Sequence, residues 1–202
     1  MKNIVFDYGN VLVKWEPERV FGDYFGSDAE VWSFMRHVCT PEWRLRIDCG
    51  ESQELCIAEL KSRFPDYAEA LELYRSRWAD MLTGEVPGMS SLLDDLTARR
   101  DIEVYGLTNW SMETFPIARQ RFGILQKIDR YVVSGDVHLV KPDPAIFRLL
   151  LDRFGLDPAE TVFVDDNADN VAAANAVGLH GIQFSSAERL RTELQTLFNT
   201  TI

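Results

Sequence analysis

Asn3-Ile4-Val5-Phe6-Asp7-Tyr8-Gly9-Asn10-Val11-Leu12-Val13 opens the ordered pattern of the chain, and its apolar run ends on a carboxylate. A short run of that kind reads as a buried strand, and Asp7 then stands at the strand's C-terminal end, where open α/β sheets bind their ligands. An aspartate there would by itself be only the cap of the next turn. The rest of the chain repeats the arrangement. Ile102-Glu103-Val104-Tyr105-Gly106-Leu107 ends in Thr108-Asn109, and Thr161-Val162-Phe163-Val164 ends in Asp165-Asp166-Asn167. A further run, Tyr131-Val132-Val133, leads through Ser134-Gly135-Asp136 to Lys141-Pro142-Asp143-Pro144. If these strands lie parallel, one sheet edge collects carboxylates, a hydroxyl with an amide, and an ammonium. Such a set suits a divalent cation and a phosphate.

Between the first strand and the others the pattern changes. Residues 15–86 carry helical periodicities and no convincing strand. Asp66 with Glu69 predicts a capping box ahead of Ala70, Leu71, Leu73, Tyr74 and Trp78, and Val86-Pro87-Gly88 punctuates the end. After Gly88, strands and helices alternate. Met89, Leu92, Leu93 and Leu96 share helical spacing, and a helix is expected from about Ser111 towards Phe122. Asp143-Pro144 predicts a capped helix to Phe154, and Ser185 with Glu188 a capping box for the last helix. The expectation is an α/β fold: a Rossmann-like parallel sheet with helices on both faces, built from residues 1–14 and 87–202, plus an inserted all-helical cap at 15–86.

Taken in order, Phe6-Asp7-Tyr8-Gly9-Asn10-Val11-Leu12, Leu107-Thr108-Asn109-Trp110, Val140-Lys141-Pro142-Asp143 and Val164-Asp165-Asp166-Asn167 resemble the four motifs of the haloacid dehalogenase-like hydrolases. The resemblance runs over nearly the whole chain. Asp7-Tyr8-Gly9-Asn10-Val11 and Phe163 to Asn170 look most like the bacterial sugar-1-phosphate phosphatases, of the α-D-glucose-1-phosphate phosphatase type. The resemblance implies a helical cap beside the site and an aspartyl-phosphate intermediate on Asp7.

The chemistry expected of each residue follows. A carboxylate attacks phosphorus only when cations neutralise the phosphate's charge. Magnesium takes an oxygen shell, which the resemblance implies is drawn from Asp7, the Gly9 carbonyl and Asp166, with Asp165 and Asn170 expected to support it from behind and Asp169 to cap the helix Asn170 to Val177. Thr108 and Asn109 are expected to meet the phosphate at a helix N-terminus. Lys141 is expected to pair with the nucleophile and the phosphoryl oxygens. In the cap, Trp43, Arg44, Arg46 and Asp48 are candidates for contact with a small phosphorylated metabolite; a packing role suits them equally.

One position departs from the family pattern. Most phosphatases that resemble this chain carry a second aspartate two positions after the nucleophile, acting as general acid and then base; here that position is Gly9. A missing acid, worth roughly a hundredfold to ten-thousandfold, predicts a steep dependence of turnover on leaving-group acidity and favours substrates that leave easily, such as sugar 1-phosphates. His37, Asp48 and His138 are candidate substitutes. Two rival readings remain open at this stage. A 2-haloacid dehalogenase would share Asp7 and Lys141, although such relatives carry serines where Asp165 and Asp166 stand. A catalytically impaired protein could bind a phosphorylated ligand or a protein partner.

Composition narrows the rest. The chain has 202 residues, 46% hydrophobic and 26% charged, enough for a sizeable core. A net charge of -11 with no basic stripe argues against nucleic acid or an anionic membrane as partner. With Met1-Lys2 leading straight into the strand and no spanning segment, a cytoplasmic location is expected. Cys39, Cys49 and Cys56 are expected to be reduced thiols.

Overall fold

The computed structural model describes residues 1–199. Its central sheet is parallel and five-stranded, built from β1 (Asn3–Phe6), β4 (Glu103–Thr108), β5 (Tyr131–Val133), β6 (Thr161–Asp165) and β7 (His180–Gln183), in the order β5-β4-β1-β6-β7. β2 (Val13–Trp15) and β3 (Leu82–Glu85) form a separate antiparallel ribbon. This ribbon corrects the all-helical reading of residues 15–86. Its strands are too short to show period-two alternation, and they pair only because the chain leaves β1 and returns to the sheet at the same place.

Helices α1 (Glu18–Phe25), α2 (Asp28–His37), α3 (Pro41–Asp48), α4 (Gln53–Arg63) and α5 (Ala68–Ser76) fill the segment inside the ribbon. Then come α6 (Met89–Thr97), α7 (Phe115–Arg121), α8 (Ser134–Val137), α9 (Pro144–Phe154), α10 (Ala168–Ala176) and α11 (Ala187–Phe198). Alternation along β1 explains the layers. Ile4 and Phe6 point into one cluster with Leu92, Leu93 and Leu96 of α6, Phe115 of α7 and Leu190 and Leu194 of α11. Val5 points the other way, into a cluster with Ile146, Phe147 and Leu150 of α9 and Ala174 of α10. Helices therefore cover both faces. A third cluster, including Phe21, Phe34, Trp43, Ile57, Leu71 and Tyr74, is built by α1–α5 with Val38, Cys39 and Met81, all within residues 15–86.

Helix ends follow local chemistry that the sequence shows imperfectly. Asp143 caps α9 as expected, accepting from the Ala145 N–H at 2.8 Å. The other three assignments are corrected. Asp66 lies inside a 3₁₀ turn and α5 begins without a side-chain cap; Ser186 rather than Ser185 caps α11; Asn167 rather than Asp169 caps α10. The helix expected near Ser111 starts only at Phe115, after a turn. Among the described residues no helix is long and apolar enough to cross a membrane, and the three cysteines are free thiols.

Candidate active site

β1 lies between β4 and β6, so the strand order reverses at its edge and a crevice opens above its C-terminal end. Asp7 takes the first position past the strand, its N–H donating to the Val164 carbonyl at 2.9 Å. Tyr8 turns back into the core beneath it and stacks on Phe115. That packing requires a glycine at 106, because a Cβ there would collide with the Tyr8 ring and its hydroxyl oxygen. The chain then bends at Asn10, whose φ of 55° is a left-handed value asparagine tolerates. Asn10 holds the bend by accepting from the Trp15 N–H at 3.0 Å, and its Nδ2 reaches Asp166 at 3.3 Å.

Lys141 arrives from the β5–α9 connection and is buried almost completely, at 2% exposure. Its Nζ stands 2.8 Å from Asp7 Oδ1 and 2.7 Å from Asp165 Oδ2. Asp165, wholly buried at the end of β6, also accepts from Asn170 Nδ2 and, at 2.8 Å, from the Asn167 N–H. Asp165 thus spends its oxygens on holding Lys141 and its own loop. Asn109 lines the cleft, but its side-chain amide is engaged with the Lys141 main chain. Its Oδ1 accepts from the Lys141 N–H at 2.8 Å and its Nδ2 donates to the Lys141 carbonyl at 2.9 Å, so the amide positions the lysine. Thr108 sits buried at the end of β4, separated from α7 by the turn and hence not at a helix N-terminus.

Charge is unbalanced here. Carboxylate oxygens of Asp7, Asp165 and Asp166 lie within 4.8 Å of one another, and Lys141 is the ammonium among them. Burial raises Asp7 above the usual carboxylate range, with Asp165 and Asp166 adding to the shift and Lys141 opposing it. Burial and the neighbouring Asp165 raise Asp166 too. Burial works against the charge on Lys141, but the two carboxylates beside it outweigh burial and hold its pKa above the ordinary lysine value. Fully ionised, three carboxylates against one ammonium would carry two excess negative charges. A divalent cation fits this set of carboxylate oxygens.

A cavity of about 260 Å³ covers these groups. The core supplies Asp7, Gly9, Asn10, Asn109, Trp110 and Asp166, and residues 15–86 supply Trp15, Arg44, Asp48, Gln53, Tyr74 and Trp78. A wider hollow of about 660 Å³ opens beside β5 around Phe115, Arg119 and Tyr131, and none of the acidic cluster lines it. Trp43 and Arg46, expected to contact substrate, do not line the cavity of about 260 Å³. Trp43 is buried, donates from Nε1 to the Cys56 carbonyl and packs edge-on against Tyr74 inside the cap. Arg46 forks outward to Glu51 and Glu59. Arg44 and Asp48, one helical turn apart on α3, face the cavity instead. His37 lies exposed with Nδ1 on the Ser33 carbonyl of its own helix, and His138 donates from Nδ1 to the Cys49 carbonyl. Asn10, Trp15, Gln53, Tyr74, Trp78 and Trp110 were not expected at the site. Only Asn10 carried a signal, as half of the turn pair after Asp7.

The chain matches the family model of the haloacid dehalogenase-like hydrolases over residues 1–178. It belongs to that family. Among curated proteins, this haloacid dehalogenase-like hydrolase is 28% identical to the sesquiterpene phosphatase astK of Aspergillus oryzae, over 97% of this chain and 96% of that one. It is 27% identical to the phosphorylated carbohydrates phosphatase of Thermotoga maritima, over 90% and 84% respectively. It spans about a fifth, 20% and 19%, of the length of two other curated relatives. Among solved structures, the family enzyme bt-2542 of Bacteroides thetaiotaomicron, in complex with magnesium and inorganic phosphate, superposes with a TM-score of 0.67. It is 20% identical, over 92% of this chain and 95% of that one.

Proposed function

We propose that this haloacid dehalogenase-like hydrolase is a magnesium-dependent phosphatase acting on a small phosphorylated metabolite through an aspartyl-phosphate on Asp7. The observation that carries the reading is the pairing of a buried Asp7–Lys141–Asp165 triad with the excess negative charge of Asp166 beside it. Asp7, the Gly9 carbonyl and Asp166 would hold the cation, which when bound shields the phosphoryl charge and polarises its oxygens. Lys141 would meet the phosphoryl group and favours the ionised Asp7 that attacks it, opposing the rise that burial causes. Thr108 offers a hydroxyl to the transferring oxygens, and Asn109 fixes Lys141 through its main chain.

The cavity of about 260 Å³ is below the roughly 300–1,000 Å³ of ligand pockets generally, which favours a small monoester. Its wall of Trp15, Trp78 and Trp110 beside Arg44, Asp48 and Gln53 suits a sugar, with apolar faces and hydroxyl edges, so a sugar 1-phosphate is the preferred candidate. Residues 15–86 would serve as the cap over a core of 1–14 and 87–202. The phosphatase-named relatives and the magnesium and phosphate in bt-2542 support the reading. Dehalogenation is disfavoured by Asp165 and Asp166, whose negative field would repel a haloacid anion.

Release of phosphate from p-nitrophenyl phosphate and glucose 1-phosphate, measured with magnesium and with chelator, tests the proposal. Turnover lost on chelation supports it. Chloride release from 2-chloropropionate without metal, and no phosphate release, would refute it.

A further inference from the structure

Gly9 leaves a gap in the chemistry as well as in space. A Cβ built there meets nothing within 4 Å, so the position usually occupied by a proton-donating side chain opens onto the cavity. The titratable side chains lining that cavity are Asp7, Arg44, Asp48, Tyr74 and Asp166. Asp7 and Asp166 belong to the nucleophile and cation cluster. Arg44 stays charged, with its guanidinium donating to the Met35 and Cys39 carbonyls, and burial pushes the Tyr74 phenol far above its usual range. His138 does not line the cavity, and its Nδ1 is spent on Cys49. Among the described residues this leaves Asp48.

The structure also shows how Asp48 is presented. The Ser134 hydroxyl donates to the Asp48 carbonyl at 2.5 Å, while the Trp110 N–H donates to the same hydroxyl at 2.8 Å. One residue on, the Cys49 carbonyl takes the His138 ring at 2.9 Å, and Gly50 follows with a φ of 108°, against the His138 ring where a Cβ would have no room. The C-terminus of α3 is therefore pinned to the core strands that carry Thr108 and lead to Lys141. Asp48 lines both the main cavity and an adjoining one that reaches Lys141 and Asn170.

We infer that Asp48, supplied by the cap, is the general acid and base of this enzyme in place of the residue missing at position 9. The inference rests on the proposed phosphatase reading. In the first step an Asp7 oxygen bonds to phosphorus, the bond from phosphorus to the leaving oxygen breaks, and that oxygen takes the Asp48 proton and departs as an alcohol. In the second, the Asp48 carboxylate removes a proton from water, whose oxygen bonds to phosphorus. The bond to Asp7 breaks, returning its carboxylate, inorganic phosphate and a protonated Asp48. Burial pushes the Asp48 carboxyl up to about 7, against Arg44 on its own helix, Lys141 from the core and the Ser111 N–H, so both forms are populated near neutral pH.

The test compares wild type, Asp48→Asn, Asp48→Glu and Asp7→Asn on ethyl phosphate and p-nitrophenyl phosphate with magnesium. Asp48→Asn should lose about a hundredfold to ten-thousandfold on ethyl phosphate. On p-nitrophenyl phosphate it should release one equivalent of nitrophenol in a burst and then turn over slowly, because water attack lacks its base. The wild-type fall in kcat/KM above about pH 7 should vanish in Asp48→Asn, and Asp48→Glu should recover part of the rate. Equal losses on both substrates without a burst would overturn the inference. A wild type whose turnover falls steeply with leaving-group basicity would overturn it without any variant. Dead Asp7→Asn with unaffected Asp48→Asn would sink this inference alone; no phosphate release by the wild type would sink both readings.

Discussion

Replacing Lys141 by methionine keeps the apolar stem and deletes the ammonium, leaving Asp7, Asp165 and Asp166 crowded with no cation between them. The two ion pairs that the ammonium makes, at 2.8 and 2.7 Å, are both buried, with the lysine side chain 1% exposed and its partners 11% and 0%. Removing one partner of a buried ion pair costs about 3–5 kcal/mol, since the remaining charge is deprived of its compensation without regaining water. In a chain of this size each kcal/mol moves the melting temperature by about 2–4 °C, so metal-free Lys141→Met should melt roughly 6–20 °C below wild type. Asp7 and Asp166 are already raised in the folded wild type with Lys141 opposing the rise, so losing the ammonium raises them further above their unfolded values. Protonation therefore relieves the variant more than wild type, and the gap should narrow as the pH is lowered from 7 to 5. Magnesium should narrow it as well, by replacing the missing positive charge. Thermal unfolding followed by circular dichroism, with chelator and with magnesium at both pH values, reads all three effects. A drop under about 2 °C that neither magnesium nor acid changes would refute the charge-compensation argument.

Three further outcomes are expected. In metal-free protein, the raised pKa of Asp48 makes its contribution to stability greatest below its unfolded value of 3.8 and lost as the pH rises to about 7, so Asp48→Asn should gain on wild type between pH 4 and 8 in urea titrations; an unchanged difference contradicts the burial argument. Gly9→Asp has room and no left-handed backbone to strain it, and in an Asp48→Asn background it should restore turnover of ethyl phosphate by on the order of tenfold or more, with no recovery counting against the assignment of position 9. Trp43→Ala should cost about 3–5 kcal/mol in denaturant unfolding by emptying the cap core, whereas Arg46→Ala, whose ion pairs are exposed, should cost under about 1 kcal/mol and leave KM unchanged; a raised KM in Arg46→Ala would restore its expected contact with substrate.

Four of the five strands and their polar edge were legible because β1, β4, β5 and β6 are apolar runs that lead into small polar or charged residues, whereas β7, His180-Gly181-Ile182-Gln183, has no such run and was not expected. Asp7, Thr108, Lys141 and Asp166 can be picked out from those stops. The facing wall was not legible. Trp43 and Arg44 are neighbours on α3, about 100° apart around its axis, and which one meets the cavity depends on how the helix rolls against its partners. Trp43 and Ile47 go to the cap core, Arg44 and Asp48 to the site, and Arg46 to solvent. The short α3 sequence, with charges at Glu42, Arg44, Arg46 and Asp48, shows no clear apolar stripe to fix that roll. The role of Asn109 was hidden for a different reason: its partner, the Lys141 main chain, is 32 residues away, and an amide before a turn reads equally well as a ligand or a cap. Asp66, Ser185 and Asp169 mislead by a residue or two, because capping depends on which backbone leaves helical geometry first.

The most direct test of the account is to quench the enzyme in acid during turnover of p-nitrophenyl phosphate with magnesium and map the phosphoryl group by peptide mass spectrometry. The account predicts one phosphoryl group on Asp7, absent from Asp7→Asn and accumulating in Asp48→Asn. Continued turnover in Asp7→Asn, or a phosphoryl group on any other residue, would contradict it.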